Sequence, residues 1–363
     1  MQIEENVPLA PLTTFHIGGS ARYFVRARTE QELRDALALS EVEGLRVYIF
    51  GGGSNTLVPD AGFDGLVIKI AITGIEILKE HNNKDEDVVP NVETETGGKV
   101  LMVAGAGEGW DGLVAHTVEQ GLWGLENLSG IPGTVGGAVW GNIGAYGASV
   151  SQTLQWVEAY DREAGEMRRF DAAACALGYR DSFFKQHAGR YVIVRAAFAL
   201  AQTPRPNLSY KDLSARFAVA PSQTDTAPAT TVPTLAEIRD AVLAIRKEKF
   251  PDLSVEGTAG SFFKNPIVSK ADADALLMRY PTMPIFAVPE ANGVKIPLAW
   301  LLDNVLAMSG ANVGGARLFE KQPLVLVASR NASSADVGAL AKQVREKVLD
   351  TFLIVIEQEV QEM

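Results

Sequence analysis

The clearest periodic signal lies late in the chain, where Leu235, Ile238, Val242 and Ile245 recur at spacings of three, four and three, one face of a helix. Thr234-x-x-Glu237 caps its start, because the threonine hydroxyl and the glutamate carboxylate each satisfy a backbone N–H that the helix leaves over. Thr29-x-x-Glu32 carries the same signature and predicts a helix running to about Ser40. The β-rich run Leu45–Phe50 follows and ends in the turn Gly51-Gly52-Gly53-Ser54-Asn55. Leu66–Ile70 and Lys99–Ala104 read as further strands, and Trp110–Gln120 as a helix stopped by Gly121. Short helices over Ser269–Tyr280, Pro297–Leu306 and Ala335–Val348 then alternate with strands over Leu324–Ala328 and Phe352–Val360, a second α+β domain.

Two stretches break the pattern. His81–Asn91 is polar and charged and reads as a solvated hairpin or loop insertion. Ala218–Pro233 is rich in Pro, Thr, Ala and Ser without apolar periodicity, which predicts a linker or long surface loop over 218–233. It would divide the chain into domains 1–217 and 234–363. No internal repeat is found.

Composition narrows the function. At 363 residues the chain passes the roughly 250–300 residues at which single cores stop growing. The N-terminus has no basic segment leading into an apolar one, and no apolar run approaches the roughly 18 residues of a membrane span. The single cysteine, Cys175, rules out an intrachain disulfide and reads as a buried small hydrophobe. A soluble cytoplasmic protein is expected. The net charge of −11 argues against nucleic-acid binding, and any anionic ligand needs a local basic cluster. His16, His81, His116 and His187 lack metal-ligand spacing, so no metal site is expected.

Glu126–Gly147, ENLSGIPGTVGGAVWGNIGAYG, is unusual in a different way. Seven of its 22 residues are glycine, yet Ile131, Val135, Val139, Trp140 and Ile143 keep it apolar. Glycine among apolar residues implies backbone packed closely against something flat or phosphorylated. The Gly51–Asn55 turn, placed after a strand, can form an anion-binding concavity. It is neither a P-loop, which needs Gly-Lys-Ser/Thr, nor a GxGxxG fingerprint, which needs glycine where Thr56 stands.

GGGSN after a strand, the 126–147 stretch, GYRDSFFK at Gly178–Lys185, GTAGSFFKNP at Gly257–Pro266 and the C-terminal IEQEV together resemble, in order, the UDP-N-acetylenolpyruvoylglucosamine reductase family. The likeness runs from Pro11-Leu-Thr-Thr-Phe15 to Val360. It implies an α+β fold: a two-lobed FAD-binding domain of the vanillyl-alcohol-oxidase/PCMH type (lobes about 1–72 and 73–217) and a smaller α+β substrate-binding domain. It also implies noncovalent FAD, reduced by NADPH, which passes hydride to the enolpyruvyl group of a UDP-sugar to make the peptidoglycan precursor UDP-N-acetylmuramate. The expected assembly is a monomer.

Residue by residue, the resemblance places FAD against Gly51, Gly52, Gly53, Ser54, Asn55, Gly130, Ile131, Pro132, Gly133, Thr134, Gly137, Asn142, Gly144, Ala145 and Tyr146. It assigns Ser261 as proton donor, with Arg180 and Glu359 stabilising the developing enolate-like charge. Tyr210, Lys249, Asn265 and Gln322 become substrate contacts, and Tyr210 points to the family's longer subtype with a tyrosine-bearing substrate loop. Hydride addition at the β-carbon drives charge towards the α-carbon and carboxylate, which a planar arginine fork suits. Period-2 geometry puts Glu357 and Glu359 on one strand face, so spacing does not choose between them; the family pattern selects Glu359. Phe286 departs from the resembling proteins, which can carry a nucleotide-contacting tyrosine there. Rival readings are a flavin-dependent sugar or alcohol oxidase of the same fold and an inactive sugar-nucleotide-binding sensor.

Overall fold

The computed structural model describes residues 1–78, 99–218, 232–288 and 292–363; the His81–Asn91 insertion and most of the 218–233 segment lie outside them. The described chain forms two compact units, one of Met1–Glu5, Tyr23–Gly52 and Gly65–Arg246, the other of Asn6–Arg22, Gly53–Asp64 and Lys247–Met363.

In the first unit the strand Val47–Phe50 runs parallel to Phe63–Ile70, with Val47 opposite Leu66 and Phe50 opposite Lys69. They end a four-stranded sheet whose other strands are Ser20–Ala27 and Ile3–Pro8. A second sheet is antiparallel throughout, in the order Glu166–Asp171, Leu154–Asp161, Tyr191–Leu200, Val100–Gly105, Ile75–Leu78. The helix Glu30–Val42 starts as expected, with the Thr29 hydroxyl accepting from the Glu32 N–H at 3.1 Å. The core joins Leu33, Ala36 and Leu37 of this helix to Leu66 and Ile68, and also holds Trp110, Leu113 and Val114 of the helix Trp110–Glu119. Cys175 is fully buried there, and burial pushes its thiol up to about 12.

The helix Leu235–Lys249 departs from the expected boundary. Its capping box forms, Thr234 N–H donating to Glu237 and Glu237 N–H to the Thr234 hydroxyl. Its apolar face, however, packs on Trp123, Tyr146 and Leu213 of the first unit, so 234–246 belongs with that unit. The reason is burial: each of those aliphatic side chains gains about 1.5–3 kcal/mol on leaving water, and the four-residue stripe finds its partner upstream.

The second unit holds a four-stranded antiparallel sheet, Gly257–Ser261, Gln322–Ala328, Ala316–Phe319, Asn312–Val313, and a three-stranded one, Ile267–Val268, Gly293–Lys295, Phe286–Val288. The helix Ser334–Phe352 buries Val337, Leu340, Ala341, Val344 and Val348 against Leu318 and Leu326. It is longer than the sequence pattern implies, and the strand expected over Phe352–Val360 does not form. Leu353 closes the helix at φ +59, and the chain then runs extended until Gln361–Glu362 pairs in parallel with Thr56–Leu57. Alternating Ile354, Ile356 and Val360 are buried, so burial rather than a strand ladder accounts for the period-2 pattern.

Candidate functional site

In the first unit the strand Val47–Phe50 delivers Gly51 and Gly52 onto the 126–147 stretch. A Cβ on Gly52 would lie 2.5 Å from the Gly133 Cα, so the two backbones touch and only glycine fits. The bend is tied on its far side by Trp110 N–H to the Gly133 carbonyl (3.0 Å) and Val135 N–H to the Glu108 carbonyl (2.9 Å). Protein packing by itself also requires glycine at several positions of the stretch: a Cβ on Gly136 would meet the Ala106 Cβ at 2.9 Å, and one on Gly130 the Leu243 side chain at 2.7 Å.

Gly137 is different. Within the helix Val135–Trp140, a Cβ there would meet only the Thr134 hydroxyl, at an ordinary 3.7 Å. Glycine inside a helix costs about 1 kcal/mol relative to alanine, with no return from packing here. The Thr134 hydroxyl itself is buried and, among the described residues, has no hydrogen-bond partner, although such a group ordinarily finds one. It also lies 3.1 Å from where a Gly51 Cβ would stand. Half-buried Gly51 and exposed Gly137 thus both lie beside a buried Thr134 hydroxyl that has no partner among the described residues, an arrangement that fits a bound FAD.

Other predicted contacts are committed within the protein. The Asn142 amide, at φ +40, donates to the Gly178 carbonyl (2.6 Å) and accepts from the Ser151 N–H (3.1 Å). Gly144 and Ala145 pair with Ser149 and Ala148. Tyr146, buried at φ +50, meets Tyr210 edge to face at 5.1 Å. Ile131 packs partly buried against the core beside Pro132.

Arg180 sits at φ +55 in a turn closed by Gly178 and Asp181, a conformation that costs a non-glycine residue of order 1 kcal/mol or more. Asn142 on the Gly178 carbonyl and Lys185 Nζ on the Arg180 carbonyl (3.0 Å) hold it. Its guanidinium donates to the Gly144 carbonyl at 2.7 Å, which links the GYRDS motif to the glycine stretch. The Asp181 carboxylate accepts from Ser182 N–H and Gln186 Nε2.

In the second unit Gly53 (φ +64) accepts from Thr14 N–H at 3.1 Å, and Thr14 also donates to the Ser54 carbonyl. Asn55 Nδ2 donates to the Glu359 carbonyl at 3.2 Å, while Gln361 N–H donates to the Asn55 carbonyl at 3.0 Å. The C-terminal segment is thereby seated despite its position. Glu359 N–H donates to the Phe262 carbonyl at 2.8 Å, which sets Glu359 beside the strand end that carries Ser261. Ser261 follows Gly260, at φ +78 and inside a break in strand register, and its hydroxyl has no hydrogen-bond partner among the described residues. Glu357 points elsewhere: it is exposed and pairs with Lys264 at 2.8 Å. Structure thus separates two glutamates that spacing leaves equivalent.

Asn265 Oδ1 accepts from Leu298 N–H at 2.9 Å. Gln322 opens the strand Gln322–Ala328, and Lys249 ends its helix. Phe286 is 51% exposed with Lys295 Nζ 5.6 Å from its ring centre. A Cβ on Gly257 would stand 1.9 Å from the Phe15 carbonyl oxygen, so the Gly257–Pro266 motif packs its backbone directly on Phe15.

Two acidic residues escape sequence reasoning. Glu126 is buried, and burial holds its carboxyl above the usual range although the Gly124 N–H donates to it at 2.6 Å. Asp111 meets Arg239 in a two-bond fork (2.6 and 2.8 Å) across 128 residues of sequence. Burial raises its carboxyl, but Arg239, the Gly130 N–H and Arg246 outweigh this and leave it below the usual range. Among the described residues no cluster of His, Cys, Asp or Glu could hold a metal ion, and no helix is long and apolar enough to cross a membrane.

Comparison with known proteins agrees with this arrangement. Residues 21–171 match the FAD binding domain family, and 252–363 the C-terminal domain of UDP-N-acetylenolpyruvoylglucosamine reductase. Curated relatives named UDP-N-acetylenolpyruvoylglucosamine reductase are 40% identical in Ralstonia nicotianae (98% of each chain), 38% in Pseudomonas putida (99% of this chain, 98% of the relative) and 39% in Neisseria gonorrhoeae (98% and 96%). The crystal structure of the reductase from Thermus caldophilus shares the fold, with a TM-score of 0.65 at 23% identity over 100% of this chain and 99% of that one. Full-length identity of this size, with both domain families in order, establishes that the chain belongs to the UDP-N-acetylenolpyruvoylglucosamine reductase family.

Proposed function

We propose that the protein reduces the enolpyruvyl group of UDP-N-acetyl-3-O-(1-carboxyvinyl)glucosamine to UDP-N-acetylmuramate, with NADPH as electron donor and FAD as cofactor. The observation that carries this reading is the Glu359 N–H to Phe262 carbonyl bond, which sets a glutamate beside a serine whose hydroxyl has no partner among the described residues. FAD, when bound, supplies the hydride that adds to the β-carbon. Gly51, Gly52, Thr134 and Gly137 would hold the cofactor, and the remaining glycines of the stretch would shape that cradle. As the C=C pair moves towards the α-carbon and carboxylate, Ser261 Oγ–H delivers a proton to the α-carbon and is reprotonated from solvent. Glu359 and Arg180 polarise the developing charge; the strained Arg180 turn is the kind of stored conformation that functional positions retain.

Tyr210, Lys249, Asn265 and Gln322 contact the UDP-sugar, with Lys249 supplying positive charge for its diphosphate in a protein of net charge −11. Tyr210 supports the subtype with a tyrosine-bearing substrate loop, and on this reading the protein acts in the cytoplasm as a monomer. An oxidase of the same fold has no use for Ser261 and Glu359 together.

The test is spectroscopic. Purified protein with FAD should be yellow, bleach with NADPH and recolour on adding the enolpyruvyl sugar nucleotide. Ser261→Ala should bleach normally yet fail to turn over substrate. Oxygen-dependent oxidation of a free sugar, or absence of flavin binding, overturns the reading.

A further inference from the structure

Asp111 belongs to none of the family motifs found in the sequence, yet it holds the bend that leads into the cradle. It stands in the first turn of the helix Trp110–Glu119. Its Oδ1 accepts from Arg239 Nη1 at 2.6 Å and from the Gly130 N–H at 2.5 Å, while its Oδ2 accepts from Arg239 Nη2 at 2.8 Å. The Arg239 side chain is 16% exposed and that of Asp111 38%. Arg239 comes from the helix Leu235–Lys249, so one carboxylate joins two helices to a loop.

That loop is short and stiff. Gly130 turns at φ +71, Pro132 fixes its own φ, and Gly133 at φ +122 brings its Cα against Gly52. Leu243 and the Arg246 side chain back the Gly130 Cα from the helix side. Displacing Gly130 therefore displaces Gly133 and, one residue on, the Thr134 hydroxyl.

We propose that Asp111 is a positioning residue for FAD: clamped by Arg239, it fixes the Gly130 bend and so sets the spacing between Gly51-Gly52 and Gly133-Thr134. This rests on the reading that those residues receive the cofactor. A guanidinium fork suits the task because two parallel bonds fix orientation as well as distance.

Full-length protein stripped of FAD is titrated with FAD by flavin fluorescence quenching. Asp111→Asn keeps the volume but turns an NH2 towards Arg239; it should raise the FAD Kd about tenfold or more, as for a lost charge-assisted hydrogen bond. Arg239→Lys keeps the charge and loses the fork, and should weaken FAD binding in the same direction by a smaller factor. Adding it to Asp111→Asn should bring little further loss, because both act through one contact. A pair that only supports the fold would lower apoprotein melting and leave the Kd within about twofold of wild type; that result overturns the proposal. Gly137→Ala is the control. If it weakens FAD binding and Asp111→Asn does not, only the Asp111 inference fails; if neither does, the cofactor placement fails with it. Should Asp111→Asn not fold, Arg239→Lys decides: unchanged FAD affinity in that variant refutes the role.

Discussion

Gly137→Ala separates a ligand site from a packing requirement. The added Cβ meets nothing nearer than the Thr134 hydroxyl at 3.7 Å, an ordinary contact, and Gly137 is not at positive φ. The protein alone should accept it. Alanine removes backbone freedom from the unfolded chain and improves helix propensity, together about 0.4–1 kcal/mol of stabilisation. On a chain of this size that is a rise of roughly 1–3 °C in apoprotein melting temperature. FAD affinity should move the other way, because a methyl group in a close-packed contact typically costs about 1–3 kcal/mol, a loss of roughly five- to 150-fold. Differential scanning fluorimetry of the apoprotein and a fluorescence titration with FAD measure the two effects separately. An apoprotein destabilised by the change would show that Gly137 serves packing. A stabilised apoprotein with unchanged FAD affinity would show that the space over Gly137 is not the cofactor's. Only opposite signs support the reasoning.

Gly52→Ala should behave in the opposite manner, since its Cβ would lie 2.5 Å from the Gly133 Cα; apoprotein stability should fall by about 1–3 kcal/mol, the scale of overpacking, in a urea titration. Glu357→Gln removes an exposed pair with Lys264 and should cost about 0–1 kcal/mol with normal turnover, whereas Glu359→Gln should lose turnover; equal activity in the two variants would remove Glu359 from the reaction. Burial holds the Cys175 thiol up to about 12, so at pH 8 only about one molecule in ten thousand carries the thiolate. Ellman's reagent at pH 8 should leave the native protein unlabelled and should titrate one thiol after denaturation; rapid native labelling contradicts this burial.

Local chemistry was legible along the chain because it is written in neighbouring residues. The Thr29 and Thr234 caps, the apolar stripe of Leu235–Ile245 and the strand before Gly51 all depend on contacts within a few positions. The family motifs likewise pointed to FAD and to Ser261 and Glu359, since each is contiguous. Periodicity misled where burial imitates a strand: Ile354, Ile356 and Val360 alternate inwards without a ladder, because the backbone of that segment bonds at single points such as Phe262 and Asn55.

The sequence by itself determined most of the helices and strands, though not the extended segment after Phe352, and which residue types the chemistry has at hand. Tertiary structure alone decided which glycines pack on protein and which are exposed, because that depends on backbones far apart in sequence, as at Gly52 and Gly133. It also decided that Glu357 pairs with Lys264 while Glu359 bonds to Phe262, and that Asp111 finds Arg239 across 128 residues. Hydrogen bonds and steric contacts act over a few ångströms of space, whatever the separation along the chain, and only folding supplies that distance.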